Sequence, residues 1–226
     1  MRLHPLCIAP LAIAVLGCSG PVAQLSSQQE PGAASAMPAV DAKHKLSQER
    51  TARAMKGLAV RDGILVVTRP APGNAATLLA QAEATLKSNS WFESCEAYGK
   101  ALAAAPRSAA AYEGFAASAM LDLKSDLAMA ALRSAIALDP DRLSSRYRLA
   151  EIHQMDGNYG LAREEWGRVS QSDVRFQDVE ARLAIASFYD NDLAATRAHL
   201  ARAKSLGQAV PPQFEALVAS QTEGRP

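Results

Sequence analysis

The sequence predicts an all-α protein: a solenoid of about four helix hairpins with a C-terminal capping helix, preceded by a signal peptide and a flexible tether. Alanine, the strongest helix former, supplies 47 of the 226 residues, and only 5% of the residues are aromatic. Chemically matched residues also recur every 34 positions in the second half of the chain. The formal net charge of +1 argues against a dedicated nucleic-acid-binding protein, which needs clustered basic residues.

The chain begins with the anatomy of a secretory signal peptide. Arg2 supplies a basic start, residues 6–16 form an apolar run of eleven, and small residues follow from Gly17. A membrane-spanning helix needs roughly twenty apolar residues, so this run is too short, and Pro10 interrupts it. The sequence therefore predicts export from the cytoplasm.

The residues Val15-Leu16-Gly17-Cys18 resemble the lipobox of bacterial lipoproteins. This resemblance implies that residues 1–17 are a lipoprotein signal peptide and that Cys18 is acylated and becomes the new N-terminus. Ser19 after the cysteine implies sorting to the outer membrane, with the protein lipid-anchored on its periplasmic face. Two or three acyl chains hold a protein stably on a bilayer. The alternative is an ordinary secreted protein cleaved at a nearby small residue.

Residues 18–45 are rich in Ser, Gln, Ala, Pro and Gly, which predicts a flexible tether because such a segment buries little apolar surface. Residues 46–74 are expected to hold a short helix and an extended arm. Ser47 would cap the helix, Gly63 would end it, and one face would carry Ala52, Met55, Leu58 and Ala59. The apolar run 64–68 reads as a lone β-like arm, which either packs on this chain or adds to the sheet of a partner.

The 34-residue repeat organises residues 75–220. Pro106 and Pro140 close two helical stretches, and turn residues at Asn89, Gly157 and Asn191 separate the two helices of a hairpin. Three columns carry mostly small residues, which let the helices approach, and a fourth carries larger residues that fill the space between hairpins. The columns are Ala82, Ala116, Ala150 and Ala184; Ser94, Ala128, Ala162 and Thr196; Ala101, Ala135, Val169 and Ala203; and Tyr98, Leu132, Trp166 and Leu200.

The third and fourth units depart from the repeat pattern, and a final helix follows them. Val174 and Gln208 stand where the closing proline would recur, and Arg146 and Glu180 replace Leu78 and Tyr112 in their column. After these hairpins, Pro211-Pro212 would begin a capping helix with Phe214, Leu217 and Val218 on one face. Residues 221–226 are expected to be a frayed tail.

This pattern resembles the tetratricopeptide repeat (TPR), whose length is 34 and whose first helices line a peptide-binding groove. The resemblance implies that the groove carries Glu113, Ala117, Met120, Tyr147, Glu151, Gln154, Met155, Ile185, Phe188 and Tyr189. Aromatic residues dominate binding hot spots, so Tyr147, Phe188 and Tyr189 are the preferred contacts. Isolated apolar residues such as Ala117 and Ile185 could equally pack the inner helix surface.

Motifs for catalysis are absent from the sequence. It has no His-Glu-x-x-His, no phosphate-binding glycine loop and no Cys-x-x-Cys, and its histidines at 4, 44, 153 and 199 are dispersed. His153 reads as a packing residue, and Cys95 as a buried structural thiol. We therefore expect no enzyme activity, no cofactor, no metal, no nucleic acid and no small-molecule substrate.

The combination of anchor, tether and repeats resembles the tight adherence (Tad) pilus assembly lipoprotein family, with type IV pilus pilotins as longer relatives. The resemblance implies a non-enzymatic scaffold that binds a secretin or an assembly subunit of a pilus or secretion apparatus. Two alternatives remain. One is a periplasmic scaffold for a peptidoglycan enzyme or a polysaccharide export system, and the other is an enzyme activity in the segment from Ser47 to Pro72.

Overall fold

The computed structural model describes residues 37–88 and 90–223. The signal peptide, Cys18, the tether up to residue 36 and residues 224–226 lie outside the described residues. The elements in chain order are α1 Met37–Ala54, β1 Leu58–Arg61, β2 Ile64–Val67, α2 Ala75–Lys87, α3 Trp91–Ala104, α4 Ala109–Leu121, α5 Ser125–Leu138, α6 Leu143–Met155, α7 Tyr159–Ser172, α8 Val179–Tyr189, α9 Leu193–Ser205 and α10 Pro212–Glu223.

The helix before the repeats begins earlier and ends earlier than predicted. Helix α1 starts at Met37, so the predicted tether is wrong for residues 37–45, where alanine and lysine favour a helix over a coil. It ends at Ala54, not at Gly63, because Gly57 adopts a left-handed φ of +79° that breaks the helix. Leu58 and Ala59, predicted on the helix face, belong to strand β1.

The apolar run after this helix is one strand of a hairpin, so the prediction of a lone arm is wrong. Strand β2 pairs antiparallel with β1, with Arg61 opposite Ile64. Asp62 and Gly63 form the two-residue turn, and both have positive φ, at 51° and 73°. Positive φ at both positions is typical of the type I′ turn that matches the twist of a hairpin.

The hairpin packs against α5, the second helix of the second repeat. Leu65 is fully buried, and strand β2 contacts α5. The Ser134 hydroxyl donates to the Leu65 carbonyl over 2.7 Å and thereby satisfies a buried backbone acceptor on that edge. Of the two interpretations of the arm, the structure therefore shows packing within this chain.

Helices α2 to α9 form four antiparallel hairpins stacked in order, and α10 follows them, which confirms the predicted fold class. The three columns of small residues lie at 0–1% exposure in all four hairpins. In the column of larger residues, Tyr98, Leu132 and Trp166 are buried and Leu200 is half-buried. Small residues at the crossings let the helix axes approach, and the larger ones fill the space between neighbouring hairpins.

One close approach between the first two hairpins depends on a glycine. A Cβ at Gly114 in α4 would lie 2.2 Å from the Tyr98 ring of α3, so only glycine leaves room for that ring. Beside it, the hydroxyls of Ser94 and Ser118 lie 2.8 Å apart in the buried seam. The seam is therefore closed by an aromatic ring and a hydroxyl pair.

The connection between the third and fourth hairpins is longer than the earlier ones. Residues 173–178 separate α7 from α8, and Phe176 in this connection packs on the ring of Tyr147 with centroids 5.8 Å apart. At the far end, Phe214 of α10 meets Phe188 edge to face at 5.5 Å. Helix α10 therefore covers the last hairpin as a cap, and it runs to Glu223, through the first residues of the predicted tail.

Candidate partner-binding groove

A cavity of about 280 Å³, which we call the groove pocket, lies among the first helices of the second, third and fourth hairpins. Helices α4 and α6 supply most of its lining, α8 contributes Arg182, and Leu132 comes from α5, the second helix of the second hairpin. Its apolar residues are Ala116, Ala117, Met120, Leu132, Ile152 and Met155, and its polar residues are Arg148, Glu151, Gln154 and Arg182. The structure therefore brings together five of the ten residues that the TPR resemblance assigns to the groove.

Two methionines give the pocket an adaptable apolar surface. Met120 of α4 is half-buried, whereas Met155 at the end of α6 is 63% exposed. Ala116 and Ile152 close the floor beneath them, at 1% exposure each. An unbranched thioether fits surfaces of different shape, so such a pair suits an apolar side chain of a partner.

A row of alternating charges forms one wall of the groove pocket. An Arg182 nitrogen lies 3.6 Å from a Glu151 oxygen, and its Nε lies 3.0 Å from an Asp178 oxygen. Arg148 lies 3.5 Å from Glu113, which also pairs with Arg142 at 2.5 Å. The ion pairs orient the side chains of Arg182, which is half-buried, and of Arg148, which is exposed, beside the pocket.

The partial burial of Glu151 leaves its charge imperfectly compensated. Burial raises the pKa of this carboxyl above its usual value, although the positive charges of Arg182 and Arg148 act in the opposite direction. A partner that brings a further hydrogen-bond donor to Glu151 would stabilise the charged form. The charged wall is therefore suited to polar groups of a partner whose neighbouring apolar side chain enters the pocket.

The two groove arginines were missed by reasoning from the sequence. Arg148 and Arg182 stand 34 residues apart, so they occupy the same repeat position in the third and fourth hairpins. The corresponding residues of the first two hairpins are Ala80 and Gly114. Reading that column as a face of the solenoid would have placed both arginines beside Glu151.

Tyr147 does not lie on the groove surface, so its assignment as an exposed hot spot is wrong. It is 3% exposed, and its ring packs on Trp166 at 6.0 Å. Its hydroxyl donates to the carboxylate of Asp178, and burial raises the pKa of the phenol well above its usual range. Tyr147 therefore contributes to the core of the third hairpin.

The other predicted aromatic residues lie outside the groove pocket. Phe188 is half-buried against the capping helix, and Ile185 packs in the same cluster. Tyr189 is 51% exposed, and its ring stacks on Tyr159 with centroids 4.9 Å apart. Glu113 has a side chain only 13% exposed, so its part is to hold Arg142 and Arg148.

Cys95 and His153, the two other residues considered in the sequence, are both buried. Cys95 is buried, and burial together with the charge of Asp122 raises the pKa of its thiol to about 12. His153 is 6% exposed and its pKa is lowered, chiefly by burial. Within residues 37–88 and 90–223, no group of three or more His, Cys, Asp or Glu could hold a metal ion. No helix in the described residues is long and apolar enough to cross a bilayer.

Paired hairpins of this length, stacked through columns of small residues, define a helical solenoid of the tetratricopeptide type. Solved structures of such solenoids are similar to this one. A structure of MamA matches with a TM-score of 0.56 and 19% identity, over 59% of this chain and 73% of that chain. The APC/C hetero-tetramer Cut9-Hcn1 matches with a TM-score of 0.52 and 22% identity, over 64% of this chain and 28% of that chain.

A second structure, of MamA AMB-1, matches with a TM-score of 0.55 and 17% identity over 63% of this chain. At these identities the likeness shows the fold alone. No protein-family model matches the sequence, and no curated protein matches it either.

Proposed function

We propose that this protein is a non-enzymatic scaffold that binds a segment of a partner protein in the groove pocket. One observation carries the proposal: Met120 and Met155 form an accessible apolar site beside the fixed charges of Arg148, Glu151 and Arg182. A short amphipathic or extended segment presents an apolar anchor flanked by polar groups, and that arrangement matches this site. The pocket is too small for a whole domain and fits one large side chain.

The class of fold supports this proposal. Stacked hairpins make an extended surface that suits peptide and helix recognition, and function resides in the groove rather than in catalytic residues. One solenoid of similar fold, Cut9, occurs in a hetero-tetramer with Hcn1. The groove pocket draws on three successive hairpins, so a bound segment would lie across the repeats.

We further propose a place for the scaffold, on the strength of the sequence. The lipobox-like residues 15–18 support a lipid anchor at Cys18 on the periplasmic face of the outer membrane. The resemblance to Tad pilus assembly lipoproteins supports a role in assembling a pilus or secretion apparatus, with a secretin or assembly subunit as the partner. Replacing Cys18→Ser should move the protein from the membrane fraction to the soluble periplasmic fraction. An unchanged distribution would contradict the anchor.

The groove is tested by affinity purification of the full chain from solubilised cell envelopes, with partners identified by mass spectrometry. The test variant is Met155→Glu, which places a charge in the exposed part of the groove pocket. Recovery of the partner should fall about tenfold, as for loss of a hot-spot contact. Leu161→Glu is the matched control, because Leu161 is 47% exposed on α7 and does not line the pocket.

The identity of the recovered protein separates the two scaffold hypotheses. A secretin or pilus subunit lost only in Met155→Glu would support the pilus or secretion role. A peptidoglycan or polysaccharide-export protein lost in the same way would retain the groove but favour the alternative partner class. A partner recovered equally with both variants would contradict the groove itself.

A further inference from the structure

A second and larger cavity lies where the segment before the repeats meets the first hairpin. It has a volume of about 850 Å³ and is enclosed by the end of α1, the segment Thr68–Pro72 and one face of α3. We call it the N-terminal pocket. Its volume falls in the range of pockets that hold small molecules, about 300–1,000 Å³. None of its lining residues lines the groove pocket, so the two sites are separate.

The backbone around the N-terminal pocket is fixed by hydrogen bonds and by a close approach. The Gly57 carbonyl accepts from the amides of Thr68 and Arg69, at 2.8 and 3.2 Å, which ties the two sides of the rim together. The Ala71 amide donates to the Ala103 carbonyl over 2.8 Å and fixes the segment onto α3. A Cβ at Gly99 would lie 2.6 Å from the Ala54 carbonyl oxygen, so α1 rests directly on α3.

The charges around this pocket are strongly unbalanced. Arg53, Lys56, Arg69 and Lys100 are basic, whereas Glu96 is the single acidic residue of the lining. Lys100 already neutralises Glu96 at 2.9 Å. Arg53 is held over the Phe92 ring at 4.8 Å, a contact that leaves its positive charge uncompensated.

Lys56 and Arg69 are the most available of these cations. Both are exposed, and within residues 37–88 and 90–223 neither has an ion pair with an acidic residue. They are neighbours on the rim, because the Arg69 amide donates to the carbonyl of Gly57, the residue after Lys56. Two such cations would converge on one anionic group, which each would bind through a charge-assisted hydrogen bond.

Apart from Thr68, the rest of the lining consists of apolar residues and glycines. Leu78 and Ala103 belong to the floor, and Pro70 and Pro72 lie in the crossing segment. Contact with a hydrocarbon chain would bury these apolar walls and stabilise the complex. A polar ligand would find few hydrogen-bond partners on them. An acidic peptide would satisfy the rim but would leave its backbone amides facing these walls.

We infer that the N-terminal pocket binds an anionic amphiphile, a single carboxylate or phosphate group on an aliphatic body. The anionic group lies between Lys56 and Arg69, and the aliphatic body lies against Leu78 and Ala103. A carboxylate and a phosphate are both anions that accept hydrogen bonds from lysine and arginine, and the experiment below distinguishes the two head groups. The binding is reversible and involves no covalent step.

Binding is tested by isothermal titration of the purified full chain with dodecanoate and with dodecyl phosphate, each below its micelle concentration. Both should bind, and dodecyltrimethylammonium, which has the same chain and the opposite charge, should bind at least about tenfold more weakly. The double variant Lys56→Gln/Arg69→Gln should lower the affinity for the anionic probes by about tenfold or more. Tighter binding of one anionic probe would identify the preferred head group.

Two further variants test whether binding occurs in the N-terminal pocket. Arg61→Gln/Arg107→Gln makes the same change of net charge at exposed positions away from the pocket and should leave the affinity unchanged. Ala71→Trp, at an exposed lining position, should obstruct the cavity and abolish binding without disturbing the buried core. Far-ultraviolet circular dichroism of each variant confirms that its helices are intact.

Several outcomes would overturn the inference. Equal binding of the cationic amphiphile would show unselective apolar adsorption, and equal losses in both double variants would show a general charge effect. An acidic peptide that binds through Lys56 and Arg69 when dodecanoate does not would replace the amphiphile by a protein segment. Binding to phosphatidylglycerol vesicles without binding to either monomeric probe would replace it by a membrane surface.

Discussion

The first two hairpins and the last two use the same repeat positions for different interactions. One column of the first helices carries Leu78 and Tyr112 in the early hairpins and Arg146 and Glu180 in the late ones. The position 19 residues further along carries Ala97, Ala131, Glu165 and His199. The early hairpins thus carry an aliphatic or aromatic residue and an alanine at these two positions, and the late hairpins carry one basic and one acidic residue.

The charged residues meet in both late hairpins. Arg146 lies 3.0 Å from Glu165, and Nδ1 of His199 lies 2.7 Å from Glu180. The order of the charges is reversed between the two hairpins, yet the helices pack in the same way. These two positions therefore accept either apolar residues or an acid–base pair.

The last position of the repeat also differs between the early and late hairpins: a proline in the early ones is replaced by a residue that forms hydrogen bonds. Pro106 and Pro140 end the early hairpins, whereas Gln208 stands at this position after the fourth. Oε1 of Gln208 accepts from the amides of Glu180 and Ala181, and its Nε2 donates to the carbonyl of Val174. One side chain thereby caps the start of α8, whose own N-cap residue makes no side-chain capping bond.

The largest expected effect comes from removing the buried carboxylate of the fourth hairpin. Glu180 is fully buried, and it accepts from Ser170 and pairs with His199 and Arg202. Glu180→Ala should lower the free energy of unfolding by about 2–4 kcal/mol, because it removes charge-assisted bonds and leaves a cavity. Urea unfolding measures the loss, and hydrogen exchange should locate it in α8 and α9.

Glu180→Leu is the matched control, since it introduces the residue type found at position 78 of the first hairpin. It fills the cavity, and His199 and Arg202 are exposed enough to be solvated, so the loss should be clearly smaller than for alanine. Equal losses for leucine and alanine would contradict the equivalence of apolar and ionic pairs at this position.

The second prediction tests the tight seam of the early hairpins against the open surface of the late ones. Gly114→Ala should cost about 1–3 kcal/mol, because the new Cβ would collide with the Tyr98 ring. Gly167→Ala in α7 meets nothing within 4 Å and should stabilise the protein by about 0.5–1 kcal/mol through helix propensity. Thermal and urea unfolding of both variants check the opposite signs.

A Gly114→Ala variant as stable as the parent would show that Tyr98 has room to move. That result would contradict the assignment of this glycine to the close approach of α3 and α4. Destabilisation by Gly167→Ala would instead show that the outer face of α7 is covered by a neighbouring group.

The repeated part of the fold was predictable from the sequence because its constraint is local and recurs four times. The alanines at 82, 116, 150 and 184 are all buried at the equivalent position of their hairpins. Four such matches are difficult to explain by chance. The segment before the repeats occurs once and gives no such agreement. Leu58 and Ala59 fitted a helical face as well as a strand, and the Asp62-Gly63 turn signal that favours the strand was overlooked.

The groove was predictable only in part. Positions 120, 151, 154 and 155 follow from the TPR pattern, and the structure gathers these side chains around one pocket. Tyr147 could not be placed from the pattern, because its burial depends on Phe176 in a connection that is longer than the repeat prescribes. The N-terminal pocket could not be predicted at all, since it depends on how α1 rests on α3.

The smallest expected effect is a pH dependence confined to the late hairpins. Burial and the charge of Arg133 lower the pKa of His153 below its usual 6.5, against the opposing effect of Glu165, Asp156 and Glu164. The unfolded chain therefore takes up a proton on His153 before the folded chain does. The contribution of neutral His153 to the free energy of unfolding is therefore fully present above about pH 6.5, and it is lost as the pH falls through the lowered pKa.

Trp166 is buried in the third hairpin and serves as the probe, once Trp91→Phe has removed the other tryptophan. The urea midpoint of its fluorescence should be lower at pH 5.5 than at pH 7.5, and His153→Gln should abolish most of this difference. Glu180 contributes only under more acidic conditions, because its pKa lies below the usual 4.5 and its stabilisation is lost as the pH falls from there. If the urea midpoint of His153→Gln still differs between pH 5.5 and pH 7.5, the pH dependence belongs to another group. The pH dependence would then no longer distinguish the late hairpins from the early ones.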